Sequence, residues 1–286
     1  MSAGSYSIIL NSTNHVAGST NRFEYRFPKS ISFNEEDMLE LTSLSMFNSI
    51  FNIEAIRGNN TFSIIWNANT AVQYNFTIPN GIYSIADLNS YIQSQCITNK
   101  LYMLNASSQY VFFVELVTNA NAYASQINNY ALPTTAEAVT LGYTIPAGAS
   151  WTAPATASVP QIIITEGWGK LIGFLAQTLP TSVLAVDTST LSSFTPQIQA
   201  VNAIILGCNL ITNEYSLAQN AFYSFPLNVA SGAIIDVKNN SGVGNSIRAA
   251  RYDRLILEFY ANDHSILRLV DFELTIVLNI KKKNHG

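Results

Sequence analysis

Charge is the scarcest thing in this chain. Only 11% of its 286 residues are Asp, Glu, Lys or Arg, less than half the share of about 25% usual in globular proteins. The few charges nearly cancel, at 14 basic against 18 acidic residues. A net charge of −4 supplies no basic field, which excludes general nucleic-acid binding. Disorder is excluded as well, because it needs high net charge and few apolar residues, and 48% of this chain is hydrophobic. Cysteine is nearly absent. Cys96 and Cys208 stand far apart, so no disulfide framework holds the fold, and both read as small buried hydrophobes. No run of about 18 apolar residues exists, so no membrane span is expected. The opening MSAGSYSIILNST has neither a basic n-region nor a long apolar core, which predicts no signal peptide. No fixed-length repeat is present, which removes propellers and solenoids.

Reactive groupings are missing too. The three histidines, His15, His264 and His285, lie in separate polar stretches, and no His, Cys and carboxylate spacing suits zinc. No serine sits in a Gly-x-Ser-x-Gly elbow. Gly167-Trp168-Gly169 followed by Gly173 superficially suggests a phosphate loop. It lacks the Gly-Lys-Ser/Thr ending and the dinucleotide pattern. Asp236 and Asp253 have no acidic run beside them, so no calcium loop is read. Glu35 and Glu36 are adjacent and on a strand point to opposite faces, a poor pair for glycoside hydrolysis. The chain is therefore read as no enzyme, with no cofactor and no metal.

What is present is a period of two. In 21–27 Phe23, Tyr25 and Phe27 alternate with Arg22, Glu24 and Arg26, a strand that Pro28 closes. Strands are also expected at 38–47, 61–66, 71–78, 100–104, 109–117, 161–164, 201–208, 221–225, 232–237, 255–260 and 267–280. One long helix stands out. Ser84 caps it with Asp87 three residues on, and Ile85, Leu88, Ile92 and Cys96 form its apolar face. One or two further helical turns are expected over 165–172, stopped by Gly173. Residues 118–160 are rich in Ala, Thr, Asn, Pro and Gly without a sustained period, and read as an insertion or long loop. The whole predicts an all-β chain: a single jelly roll, that is an antiparallel β-sandwich, over 1–286. It carries one short crossover helix and an insertion at one end, near 118–160.

Two segments are candidates for contacts. Tyr6, Ile8, Ile9 and Leu10 are apolar and close to the chain start. They form either an arm that pairs with a neighbour's strand edge or the first strand of this same domain. Lys281, Lys282 and Lys283 end the last strand, either as a basic tail facing packaged nucleic acid or as a solvated guard against edge pairing.

Several segments together resemble the penton, or minor capsid, proteins of virophages and Polinton-like viruses. They are LTSLSMFNSIFNI (41–53), IPNGIYSIADLNSYIQ (78–93), YVFFVELVTN (110–119), LIGF (171–174), LGCNLITNEYS (206–216) and the closing strands within 251–280. The turn and helix at 79–89 and the segment at 208–213 are the most specific parts, and 118–160 departs most. The resemblance implies a single jelly roll that forms homopentamers at the fivefold vertices of an icosahedral capsid. It also implies packing against trimers of a double-jelly-roll major capsid protein, location in the virion, and no catalytic residue. Insertions between strands would build a distal portion, with 118–160 a candidate, able to meet a host receptor or glycan. The basic tail would face the interior. A different class, a lectin-like β-sandwich, would use Tyr143 or Trp151 as sugar platforms.

Overall fold

The computed structural model describes residues 5–199, 201–213, 219–239, 242 and 244–282. The chain divides into two compact units, residues 1–51 with 201–286, and residues 52–200. Each has its own buried core.

In chain order, unit 1 opens with β1 (Ser5–Asn11), β2 (Arg22–Phe33) and β3 (Met38–Phe47). Unit 2 follows with β4 (Thr61–Asn67), β5 (Ala71–Thr77), α1 (Ile85–Thr98), β6 (Met103–Leu104), β7 (Tyr110–Val111), β8 (Val114–Asn119) and β9 (Ala124–Asn129). It continues through α2 (Thr135–Leu141), β10 (Gln161–Ile164), α3 (Glu166–Ile172), β11 (Gln177–Leu179) and β12 (Thr188–Leu191). The chain then returns to unit 1 as β13 (Ala203–Cys208), β14 (Ala221–Pro226), β15 (Ile234–Lys238), β16 (Asn245–Ser246), β17 (Ala250–Ala261) and β18 (Leu274–Lys281).

Unit 1 is a jelly roll. One sheet runs β1-β18-β3-β15, with the two-residue β16 also on β3; the other runs β14-β13-β17-β2. All the pairings are antiparallel. Numbered one to eight without β16, the long strands of this unit lie in the orders 1-8-3-6 and 5-4-7-2. The pairs 1–8, 2–7, 3–6 and 4–5 are those of one long hairpin. Rolling that hairpin brings 8 beside 3 and 7 beside 4, which is the eight-stranded jelly roll. Alternation supplies its core: Leu255, Leu257, Phe259 and Ala261 of β17, and Leu274, Ile276, Leu278 and Ile280 of β18, are buried together. The expected all-β jelly roll is therefore found, within residues 1–51 and 201–286.

Two local expectations change. β2 does not end at Pro28. Its pairing with β17 is broken there, because Ile31 opposes Tyr252 and Arg26 opposes Arg254. Four residues, Phe27–Ser30, thus face Asp253 alone. β2 is an edge strand, and a bulge on an edge accommodates a residue with no N–H to donate. The last strand begins at Leu274 rather than 267, although Leu267 and Leu269 are buried in the same core.

Unit 2 is everything between the third and fourth strands of the roll. It has a sheet β11-β10-β4-β5, a sheet β12-β9-β8 and the short pair β6-β7, with α1 against β8. Residues 118–160 are no bare loop. They hold the end of β8, all of β9 and α2, whose Thr134 cap and Glu137 form a capping box. Ser84 and Asp87 form the expected box on α1, and Ile85, Leu88, Ile92 and Cys96 are its buried face.

Asparagine, frequent in this chain, is not confined to the surface. Asn21, Asn48, Asn52, Asn59, Asn60, Asn67 and Asn129 are buried. Each donates from its side-chain amide to a backbone carbonyl. They act as surrogate peptide groups where irregular backbone has no ladder partner. Asn52 has the most consequence. Its Nδ2 donates to the Tyr83 and Ile198 carbonyls at 2.7 and 2.9 Å, and its Oδ1 accepts from the Tyr83 N–H at 3.0 Å. The first residue of unit 2 is thereby fastened to its end.

That clasp predicts a modular chain. Replacing residues 53–197 by a glycine–serine linker of about ten residues, which spans up to about 33 Å, is expected to leave unit 1 folded. Closure entropy grows only slowly with loop length. The check is a retained cooperative thermal transition with sheet-type circular dichroism; a molten product would show that the two cores depend on each other.

Candidate assembly surfaces

The chemistry-bearing side chains stay apart. His15 stacks on Phe272 with centroids 3.8 Å apart, and its Nε2 lies 2.8 Å from the Ser19 carbonyl. His264 sits at a turn in the left-handed region, φ 64°, and His285 lies outside the described residues. Among the described residues no three His, Cys, Asp or Glu side chains are grouped to hold a metal. Asp236 is paired with Lys238 at 3.3 Å and Asp253 with Arg254 at 3.1 Å. Cys96 and Cys208 are both buried as free thiols, and burial pushes each up to about 12, so neither forms a reactive thiolate near neutral pH. Among the described residues no helix is long and apolar enough to cross a membrane.

The glycines of 167–173 have a packing role. A Cβ on Gly167 would stand 2.3 Å from the Gly58 carbonyl oxygen, and one on Gly169 2.6 Å from that of Phe174. Between them Trp168 is fully buried and stacks on Phe62 at 4.8 Å. Close backbone approach, not phosphate, explains this spacing.

The N-terminal candidates split between two faces. β1 pairs along its length with β18, from Ser5 opposite Lys281 to Asn11 opposite Thr275, so it is the first strand of its own domain and the edge of that sheet. Ile8 and Leu10 point into the core, 5% and 0% exposed. Tyr6 and Ile9 are open to solvent, at 54% and 59%. Ile9 shares the outer face of the sheet with Phe47 of β3 and Ile234 of β15, which oppose each other in register. Each of the three is flanked along its strand by a buried core residue, so parity puts them all outward. Ser7, Ser43, Ser45, Thr275, Val277 and Asn279 also lie on that face, and its described charges include the Asp236–Lys238 and Glu40–Lys281 pairs. Sequence reasoning missed Phe47 and Ile234. Their apolar strands hid which face each residue took.

The lysines are tied down. Lys281 pairs with Glu40 at 2.7 Å, Glu40 being nearly buried. Lys282 lies 5.3 Å from the Phe33 ring centre and donates to the Ser32 carbonyl at 3.0 Å. Lys283 lies outside the described residues. Lys281→Gln is expected to lower stability by about 1 kcal/mol, because a nearly buried carboxylate loses its ion partner. Lys282→Gln should cost under about 0.5 kcal/mol, and urea titrations of the two variants check the difference.

Of the sugar platforms of the lectin-like reading, Trp151 is buried and Tyr143 half-buried. Trp151 is 5% exposed and donates its indole N–H to the Lys100 carbonyl at 2.7 Å, and Tyr143 packs on the core of unit 2.

No family model matches the chain, and no curated protein matches it. Among solved structures it is similar to the selenomethionine-labelled mavirus penton protein. The likeness covers 99% of this chain and 100% of that one, at a TM-score of 0.47 and 9% identity. That neighbour is a penton protein, the kind of protein that the sequence segments resemble.

Proposed function

We propose that the chain is a structural virion protein that forms homopentamers at the fivefold vertices of an icosahedral capsid, packed against trimers of a double-jelly-roll major capsid protein. The observation that carries this reading is a complete eight-stranded jelly roll with a second unit placed between its third and fourth strands. The segments that resemble pentons touch β3, β13, β17 and β18, the inner strands of that roll, and also α1, β8 and the end of α3 in unit 2. In this reading unit 2 as a whole, not only 118–160, is the distal portion, and any receptor or glycan contact belongs to it. The basic end of the chain is read as lying toward the particle interior, with Lys283 outside the described residues.

The outer face bearing Ile9, Phe47 and Ile234 suits a contact between copies. A fivefold ring uses two different patches on each copy and closes after five. Such permanent contacts bury roughly 2,000–5,000 Å² with apolar centres, and a face with few charges avoids burying any unpaired. Native mass by light scattering, with negative-stain images of the same sample, tests the reading. A pentameric ring is expected. A stable dimer or trimer would overturn the fivefold assignment.

A further inference from the structure

Unit 2 carries an open strand edge beside an apolar groove. Among the described residues β12 pairs with β9 alone, which leaves its other edge without a strand partner. The residues that lead into it, Thr181–Asp187, are all exposed, and include Val183 at 54% and Val186 at 68%. Leu191 at the far end of β12 is 48% exposed. Natural edges are usually blunted by lysine, proline or a bulge, and the run 181–191 contains none of the first two. Across from it stands α2, with Val139 at 76% and Leu141 at 54%. Between α2 and Ala185, Val186 and Asp187, which lead into β12, lies a groove of about 740 Å³ also lined by Ala131, Pro133 and Ala157. Small side chains there leave room for another's large ones.

The groove also has a sign. Glu137 and Asp187 line it, and among its described lining residues there is no cation. Lys170 is the only Lys or Arg between Lys100 and Lys238, and it is engaged by Glu166 at 2.9 Å. The backbone N–H and hydroxyl of Thr134 hold the Glu137 carboxyl below its usual range, so it stays charged. Asp187 keeps its place by accepting the Ala131 N–H at 2.8 Å. An occupant that is apolar but also cationic fits both features.

We propose that this groove and the free edge of β12 bind an extended, apolar segment of another polypeptide carrying a lysine or arginine, which adds as a strand. Main-chain pairing to the edge would give affinity, and the groove and its two carboxylates would select the side chains. The site lies wholly within residues 131–191 and does not rest on the vertex assignment.

The test uses the full chain and three fluorescent, end-blocked hexapeptides: valine alternating with lysine, valine alternating with glutamate, and the lysine peptide with alternate backbone nitrogens methylated. Polarisation should rise with the lysine peptide, and hydrogen exchange over 183–191 should slow. The glutamate and methylated peptides should bind at least tenfold more weakly. Val186→Lys, at an exposed position, should weaken the lysine peptide at least tenfold with melting unchanged. Equal binding of lysine and glutamate peptides, or no protection of 183–191 at millimolar peptide, would overturn the proposal. So would protection of 183–191 that rises with protein concentration alone, which would assign the edge to a second copy.

Discussion

Deleting Ser5–Leu10 is expected to unfold unit 1 and leave unit 2 folded. The segment is short and close to the chain start, where fraying is ordinary. It is nevertheless the partner of β18 along seven residues and closes one edge of the sheet. Ile8 and Leu10 enter the same core as Ile276, Leu278 and Ile280. Removing two such side chains costs about 4–10 kcal/mol, against a total stability of about 5–15 kcal/mol for a domain. β18 would also become a free edge, with hydrophobic Val277 on its outer face. The measurement is hydrogen exchange read by segment: β13, β17 and β18 should lose protection while β4, β8 and β10 keep it. A truncated chain that retains protection in β17 and β18 would instead make the segment dispensable to its own fold, and free to act as an arm between copies.

Much of the sandwich was legible because its strands are long and alternate. β3 spans the expected 38–47, and β17 and β18 alternate through Leu255, Leu257 and Phe259 and through Leu274, Ile276, Leu278 and Ile280. α1 carries both its cap and its apolar face in the sequence. The division into two units was not legible. It falls at Asn52 and Ala200, where composition does not change, while the compositional change at 118–160 lies inside unit 2. The elements missed there are short and polar. β9 carries Gln126, Asn128 and Asn129, and β12 is Thr-Ser-Thr-Leu, so alternation of apolar residues never develops. α2 did announce itself through Thr134 and Glu137, yet only Ala138 of its seven residues is buried, so no apolar stripe confirmed it.

The candidate surfaces were half legible for the same reason. A sequence shows that Tyr6, Ile8, Ile9 and Leu10 are apolar, but only register shows that Ile8 and Leu10 serve the core while Ile9 faces out. The buried asparagines were not legible at all. Asn52 and Asn59 look like surface residues by type. Their burial depends on carbonyls at Tyr83, Ile198 and Asn52 that no local pattern brings near.

A large single-residue effect in unit 2 should come from Gly173→Ala. Gly173 ends α3 with φ 83°, a conformation that costs a side-chain-bearing residue roughly 1–2 kcal/mol. Gly142 ends α2 in the same region, φ 67°, and serves as the control. A Cβ on Gly142 meets only the Ala106 methyl, at 3.2 Å, whereas one on Gly173 would stand 2.3 Å from the Phe194 carbonyl oxygen. That oxygen cannot retreat easily. It accepts from the Ser192 hydroxyl, the Phe194 N–H donates to the Gly173 carbonyl, and Ser192 exchanges hydrogen bonds with Ser125. Gly142→Ala should therefore cost about 1–2 kcal/mol and Gly173→Ala at least about 3 kcal/mol, measured by urea unfolding of unit 2. Equal costs would mean that the 192–194 backbone shifts freely. The same crowding should reach β12, whose last residue precedes Ser192. Gly173→Ala is thus expected to speed exchange over 188–191 and to weaken the lysine peptide at that edge, while Gly142→Ala leaves β12 protected.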